Sequence, residues 1–156
     1  MFKIFIDGQN GTTGLQIKDR LTERDDMELI ELSDAERKTD AAKKAALGAA
    51  DVAILCLPDD AARQTAQLAT KTRLIDASTA HRTHPDWTYG LPELCPEQRR
   101  KIQTAERVSN PGCYPTGFIL LIRPLIALGL LKPDHAIFVS ALSGYSGGGK
   151  AMIKDY

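Results

Sequence analysis

The sequence predicts an α/β fold, a parallel sheet with helices on its flanks. Three observations carry this. Short apolar runs recur along the chain, stretches with helical spacing or helix-forming composition separate them, and a glycine-rich turn joins the first run to the first helix. A strand–helix–strand series packs as right-handed crossover units, which makes its strands parallel.

The elements follow in order. "FKIFIDG" is a short apolar strand ending at Gly8, and residues 12–24 continue with helical spacing at Leu15, Ile17 and Leu21. "MELIEL" reads as a second strand, and the alanine- and lysine-rich residues 40–49 as a helix. "DVAILCL" is a continuous apolar run of the kind buried on both faces, stopped by Pro58. "DDAARQTAQLA" then sets acidic residues at a helix N-terminus, where the helix dipole favours them. "RLIDAS" is a further strand. Loops rich in Pro, His and Thr come next, then a small helix near residues 96–103 and a strand, "ERVSN", leading to Cys113. Beyond Cys113 the composition shifts to an apolar helix and a strand, "HAIFVSAL". We therefore expect a cofactor domain over residues 1–113 and the beginning of a second domain over residues 114–156.

Composition excludes several classes of function. Twenty acidic and twenty basic residues cancel to a net charge of zero and are mixed along the chain, which argues against nucleic acid or an anionic membrane as the main partner. The longest apolar run, residues 118–131, is broken by Arg123 and Pro124 and is too short to span a bilayer. The N-terminus lacks the basic and apolar regions of a signal peptide. Cys56, Cys95 and Cys113 are an odd number without a CxxC pair, so neither a disulfide framework nor a metal site is expected. The expectation is a cytoplasmic protein with reduced thiols.

The turn "GQNGTTG" carries the first chemical signal. Gly8, Gly11 and Gly14 let backbone N–H groups approach a pyrophosphate, and the helix N-terminus adds a favourable partial charge. The spacing is GxxGxxG rather than GxGxxG, so its position in the first strand-to-helix turn is what points to a Rossmann-like dinucleotide site. Gly8, Asn10, Gly11, Thr12, Thr13 and Gly14, with Pro58 after the third strand, are the candidate cofactor contacts. After the second strand, "LSDAERK" offers a hydroxyl and two cations in Ser33, Arg37 and Lys38, which suit a 2′-phosphate and favour NADP; Asp34 is the competing feature.

The stretch "SNPGCYPTG" carries the second. Pro111 holds the approach extended, Gly112 allows a sharp turn, and Cys113 lands at a helix N-terminus, where the dipole favours a thiolate. Pro115 costs little in a first turn, since its missing N–H has no intrahelical partner there. The N–H of Cys113 and the amide of Asn110 could hold an oxyanion on a carbonyl attacked by the sulfur. Cys56, inside an apolar strand, reads instead as a small buried hydrophobe, and Cys95 has no assigned role.

"GQNGTTG", "DASTAHR", "YGLPEL", "NPGCYPTG" and "SGYSGGGK", in their order along nearly the whole chain, resemble the short type of N-acetyl-γ-glutamyl-phosphate reductase, within the semialdehyde dehydrogenase superfamily. NPGCYPTG is the most specific of them, because related enzymes such as the aspartate one usually carry an Asn-Cys-Thr core. The resemblance implies that Cys113 attacks an acyl phosphate to give a thioester, which NADPH reduces to N-acetylglutamate semialdehyde for arginine synthesis. It implies substrate contacts from Ser78 and Arg82 in "DASTAHR", and from Ser143, Gly144 and Lys150 in "SGYSGGGK". His81 reads as a loop residue rather than an acid or base. Members run substantially longer than 156 residues, with their catalytic histidine beyond Tyr156 and an α+β substrate and dimerisation domain of which residues 114–156 would be the truncated start. The resemblance thus implies homo-oligomers for full-length members. Loss of a general acid–base group costs about a hundredfold to ten-thousandfold, so the 156-residue chain alone is expected to turn over badly. Two alternatives stay open: another acyl-phosphate reductase, such as an aspartate-semialdehyde dehydrogenase relative, and a nucleotide-binding module without catalysis.

Overall fold

The computed structural model describes residues 1–142. The elements are β1 (Phe2–Asp7), α1 (Thr12–Thr22), β2 (Met27–Ile30), α2 (Asp40–Ala49), β3 (Val52–Leu55), α3 (Asp59–Leu68), β4 (Arg73–Asp76), β5 (Thr88–Tyr89), α4 (Gln98–Thr104), β6 (Arg107–Ser109) and α5 (Cys113–Ala127), with 3₁₀ turns at Glu36–Lys38 and Pro92–Leu94. The six strands form one sheet in the order β2-β1-β3-β4-β6-β5, and every pairing is parallel.

That order reverses at β1, with β2 on one side and β3 on the other. Such a switch point opens a crevice at the carboxyl ends of the two central strands, where ligands of α/β sheets bind. The alternation of side chains sends Phe5, Ala53, Leu55 and Leu74 into a core with Ala46 and Leu47 of α2, Ala66 of α3 and Trp87. At the carboxyl ends, the register aligns Asp7 with Leu55, Leu55 with Asp76, and Asp76 with Ser109. All four are buried, so the strand ends carry the polar side chains of Asp7, Asp76 and Ser109 inside the fold, with Leu55 between the first two.

Three expectations change. β3 is fully buried at Ala53 and Leu55 only; Val52 and Ile54 are half-buried, so the run is apolar throughout but covered completely on one side. The Pro-, His- and Thr-rich segment contains β5, two residues too short to show any period, which extends the sheet beyond β6. Residues 135–142 form no strand: a strand needs a neighbour to complete its backbone hydrogen bonds, and none among the described residues pairs with it. Phe138 is 93% exposed there.

Candidate functional site

The glycine turn is built by two steric demands. Gly8 has φ of 90°, a left-handed conformation, and a side chain there would run into the carbonyl oxygen of Cys56 at the end of β3. Gly14 lies in α1, where a Cβ would press on the Gly8 carbonyl and come within 2.8 Å of the Gln9 Cα. Gly11, the N-cap of α1, has an ordinary φ of −78°; its N–H donates to the Gly8 carbonyl at 2.9 Å. Among the described residues no side chain caps α1, so the N–H groups of its first turn have no side-chain acceptor. Beneath the turn, the buried Asp7 accepts hydrogen bonds from Thr65 Oγ1 of α3 at 2.9 Å and Lys43 Nζ of α2 at 3.0 Å, tying three elements together.

Two cavities flank this turn and share Gly11. One, of about 300 Å³, is lined by Gly8, Asn10, Gly11, Leu32 and Arg37. The other, of about 380 Å³, is lined by Gly11, Thr12, Thr13, Cys56, Pro58 and Ala77. The structure therefore brings together most of the cofactor contacts expected from the sequence, and a cradle without side chains at Gly8 and Gly14 fits a dinucleotide. The groups after β2 are engaged locally. Ser33 N–H and Oγ–H both donate to Glu36 Oε2, at 2.9 and 2.5 Å, and the Glu36 N–H returns to Ser33 Oγ at 3.3 Å, a capping box closing the 3₁₀ turn. These bonds, the hydroxyl's first, hold the Glu36 carboxyl below the usual range. Arg37 pairs with Asp34 at 2.8 Å, and Lys38 is exposed and lines neither cavity.

Cys113 is exposed and is the first residue of α5, across the short Asn110-Pro111-Gly112 loop from β6. Asn110 donates its N–H to the Asp76 carbonyl at 2.7 Å and its Nδ2 to the Pro111 carbonyl at 3.1 Å. Cys56 differs sharply: burial, with Asp76 and Asp7 nearby, pushes its thiol up to about 11. The expected reason for Gly112 needs correcting. Its φ of −78° and ψ of 160° are open to any residue; what a Cβ would meet is the Arg82 guanidinium, 2.5 Å from Nη1 and 3.1 Å from Cζ.

The loop after β4 is fixed residue by residue. Asp76, fully buried, accepts from Ser78 N–H at 2.9 Å, Ser78 Oγ at 2.7 Å and His81 Nδ1 at 2.6 Å. Asp59, at the start of α3, accepts from Thr79 N–H at 3.0 Å and Oγ1 at 2.6 Å, bonds that hold its carboxyl low, the hydroxyl's foremost. Arg82 donates from Nε to the Asn110 carbonyl at 3.2 Å and from Nη2 to the Ala77 carbonyl at 3.3 Å. Ser78 thus uses its hydroxyl inside the loop. His81 is a turn residue, as expected, but a buried one, stacked on Trp87 with ring centres 4.0 Å apart and planes 10° from parallel. The Asp76–His81–Trp87 stack escaped the sequence reading; the Asp-x-Ser spacing of "DAS" was its one local signal. It borders a third cavity, of about 700 Å³, with Arg63, His84 and Arg107. Ser143, Gly144 and Lys150 lie outside the described residues. No group of three or more His, Cys, Asp or Glu among the described residues could hold a metal, and no helix among them is long and apolar enough to cross a membrane.

A family profile for the semialdehyde dehydrogenase NAD binding domain matches residues 3–102, and one for the semialdehyde dehydrogenase dimerisation domain matches residues 113–156. Curated relatives from Brucella anthropi and Brucella ovis, both called N-acetyl-gamma-glutamyl-phosphate reductase, are 57% and 56% identical over 97% of the chain. The alignment takes in 50% of each relative, so the chain spans about half their length. Among solved structures, aspartate semialdehyde dehydrogenase II from Vibrio cholerae, complexed with ASA, superimposes with a TM-score of 0.67 at 17% identity, over 99% of this chain and 50% of that one. The aspartate semialdehyde dehydrogenase of Francisella tularensis gives 0.64 at 20% identity, over 99% and 48%. At such identities these structures speak for the fold alone.

Proposed function

Because the chain belongs to the semialdehyde dehydrogenase family, we propose that it forms the NADP-binding, nucleophile-bearing part of an N-acetyl-γ-glutamyl-phosphate reductase. The observation that carries this is the place of Cys113: an exposed thiol opening α5, next to the carboxyl ends of a parallel sheet. The relatives at 56–57% identity favour the acetylglutamyl phosphate over the aspartyl one.

Gly8, Asn10, Gly11, Thr12, Thr13 and Gly14 would hold the dinucleotide on the first turn of α1, with Pro58 bordering its far side. Ser33, Arg37 and Lys38 would meet a 2′-phosphate once Glu36 and Asp34 give way. A reduced nicotinamide bound there supplies hydride, the two electrons that turn an acyl group into an aldehyde. The chain's own chemistry is at Cys113. Its sulfur attacks the acyl carbon, the carbon–oxygen bond to phosphate breaks, and inorganic phosphate leaves, with the acyl group held as a thioester. The Cys113 N–H and the Asn110 amide steady the oxyanion formed on the way. When the carbon–sulfur bond later breaks, the thiolate returns to its starting form. Ser78, Arg82, Ser143, Gly144 and Lys150 border the substrate in this reading. The cofactor domain is residues 1–113 and the second domain begins at 114. The dimerisation profile over residues 113–156 supports a homo-oligomer, and a biosynthetic reductase of this kind works in the cytoplasm.

Incubation with N-acetyl-γ-glutamyl phosphate, followed by acid quench and peptide mass spectrometry, tests the reading. The expected result is an acyl adduct on Cys113, matched by phosphate release and absent from Cys56 and Cys95. Phosphate released without any adduct at Cys113, or an adduct at another cysteine, would overturn it.

A further inference from the structure

We propose that Arg82 is a positioning residue for the cysteine turn, a strut that joins the loop after β4 to the loop after β6 and sets where Cys113 stands. The inference rests on the reading of Cys113 as the nucleophile and deepens it.

The strut has a rigid base. Residues 78, 79 and 81 are each pinned, to Asp76 or to Asp59, so the backbone reaching Arg82 has little freedom. From there the half-buried guanidinium reaches across to the next loop. Nη2 donates back to Ala77 and Nε forward to Asn110, so one planar group bridges the two loops. Two bonds from a planar fork fix orientation as well as distance, which a lysine ammonium cannot reproduce. The remaining nitrogen, Nη1, lies over Gly112, the residue immediately before Cys113.

Gly112 supplies an independent argument. Its backbone angles suit any amino acid, so glycine is not required there by conformation. The obstacle to a side chain is the guanidinium, 2.5 Å from where a Cβ would sit. On the other side, Pro115 Cδ is 3.3 Å away, so the residue is held between the strut and the first turn of α5. A side chain at Gly112 would therefore push the guanidinium off its two bonds, so the strut and the glycine are coupled. The helix accepts the same constraint, since the Gly112 carbonyl receives both the Thr116 N–H at 3.0 Å and the Thr116 hydroxyl at 2.7 Å. A displacement of Gly112 passes directly to the start of α5 and to the sulfur.

A double-mutant cycle on the 156-residue chain tests this. The readout is the rate of Cys113 alkylation by iodoacetamide, relative to Cys95 in the same molecule, across a pH series. Arg82→Met and Gly112→Ala are each expected to change the relative rate by about threefold or more, and the Gly112→Ala effect to vanish in the Arg82→Met background, where the guanidinium is gone, as for residues in direct contact. Arg82→Lys is expected to behave like Arg82→Met, because charge alone does not make the bridge. Circular dichroism of each variant restricts the comparison to folded chains. A Gly112→Ala effect of equal size in both backgrounds, an Arg82→Lys chain indistinguishable from wild type, or no effect from either substitution would each overturn the strut. Acyl trapping reads the nucleophile separately: coupling without an acyl adduct leaves the strut standing and removes the catalytic reading, and an adduct without coupling does the reverse.

Discussion

Replacing Gly14 by alanine sets helix propensity against steric fit, and the structure says which wins. Within α1 the exchange should favour the helix by about 1 kcal/mol, because glycine has more freedom to lose on folding. The new Cβ, however, would press on the Gly8 carbonyl oxygen and come within 2.8 Å of the Gln9 Cα and 2.9 Å of the Gly8 carbonyl carbon. All three are backbone atoms, and Gly8 is itself fixed by its positive φ against Cys56, so no side chain can swing aside. Overpacking costs about 1–3 kcal/mol, and a collision with backbone on three atoms belongs at the top of that range. The net is a loss of about 2 kcal/mol, which lowers Tm by about 4–8 °C for a chain of this size. Gly48 in α2 is the control, since a Cβ there meets nothing within 4 Å; Gly48→Ala should stabilise by about 0.5–1 kcal/mol. Urea denaturation followed by circular dichroism measures both, and NADPH fluorescence shows whether α1 still receives the cofactor. A Gly14→Ala chain with wild-type stability and cofactor affinity, or a Gly48→Ala chain damaged as badly, would refute the packing argument.

Other expectations follow from the same contacts. Asp76→Asn turns one acceptor oxygen into a donor facing Ser78 or His81, and should cost about 1–3 kcal/mol in denaturant titration. Ser109→Ala should be neutral or stabilising in the same titration, because the buried Ser109 hydroxyl has no hydrogen-bond partner among the described residues. Cys56, with its thiol pushed up to about 11, should resist iodoacetamide at neutral pH and react only as the pH approaches that value in the folded chain. The Asp59 carboxyl is held low by Thr79, so its contribution is present above the ordinary aspartate value and lost as pH falls through the depressed one. The stability gap between wild type and Asp59→Asn should accordingly be open at pH 6 and close below about pH 4.

The sheet was legible because its strands announce themselves in apolar runs and its helices in spacing and end composition. Much of what hid from the sequence depends on residues distant along the chain. β5 is two residues long and exists because β6 offers it an edge. Residues 135–142 have strand composition without a partner among the described residues, and composition alone does not make a ladder. At the site, the glycine turn and the helix-opening Cys113 could be read locally, since each is a matter of consecutive backbone. The roles of Ser78, His81, Arg82 and Gly112 could not. Ser78 and His81 turn on the nearby Asp76, which the Asp-x-Ser spacing only hints at, while Arg82 and Gly112 meet across thirty positions.

The chain has one tryptophan, and its setting makes it a built-in optical gauge. Trp87 is buried with an imidazole lying flat against one side and the Arg107 guanidinium 5.7 Å from its ring centre. A change in how the imidazole or the guanidinium packs on the indole alters its surroundings, so fluorescence intensity records that packing with no background from other indoles. Because His81 shares its carboxylate with Ser78 and sits one residue before Arg82, whatever loosens the approach to Cys113 should also change the light from Trp87. A rearrangement of that loop can then be timed in unlabelled protein, in a stopped-flow cell, from a single buried ring.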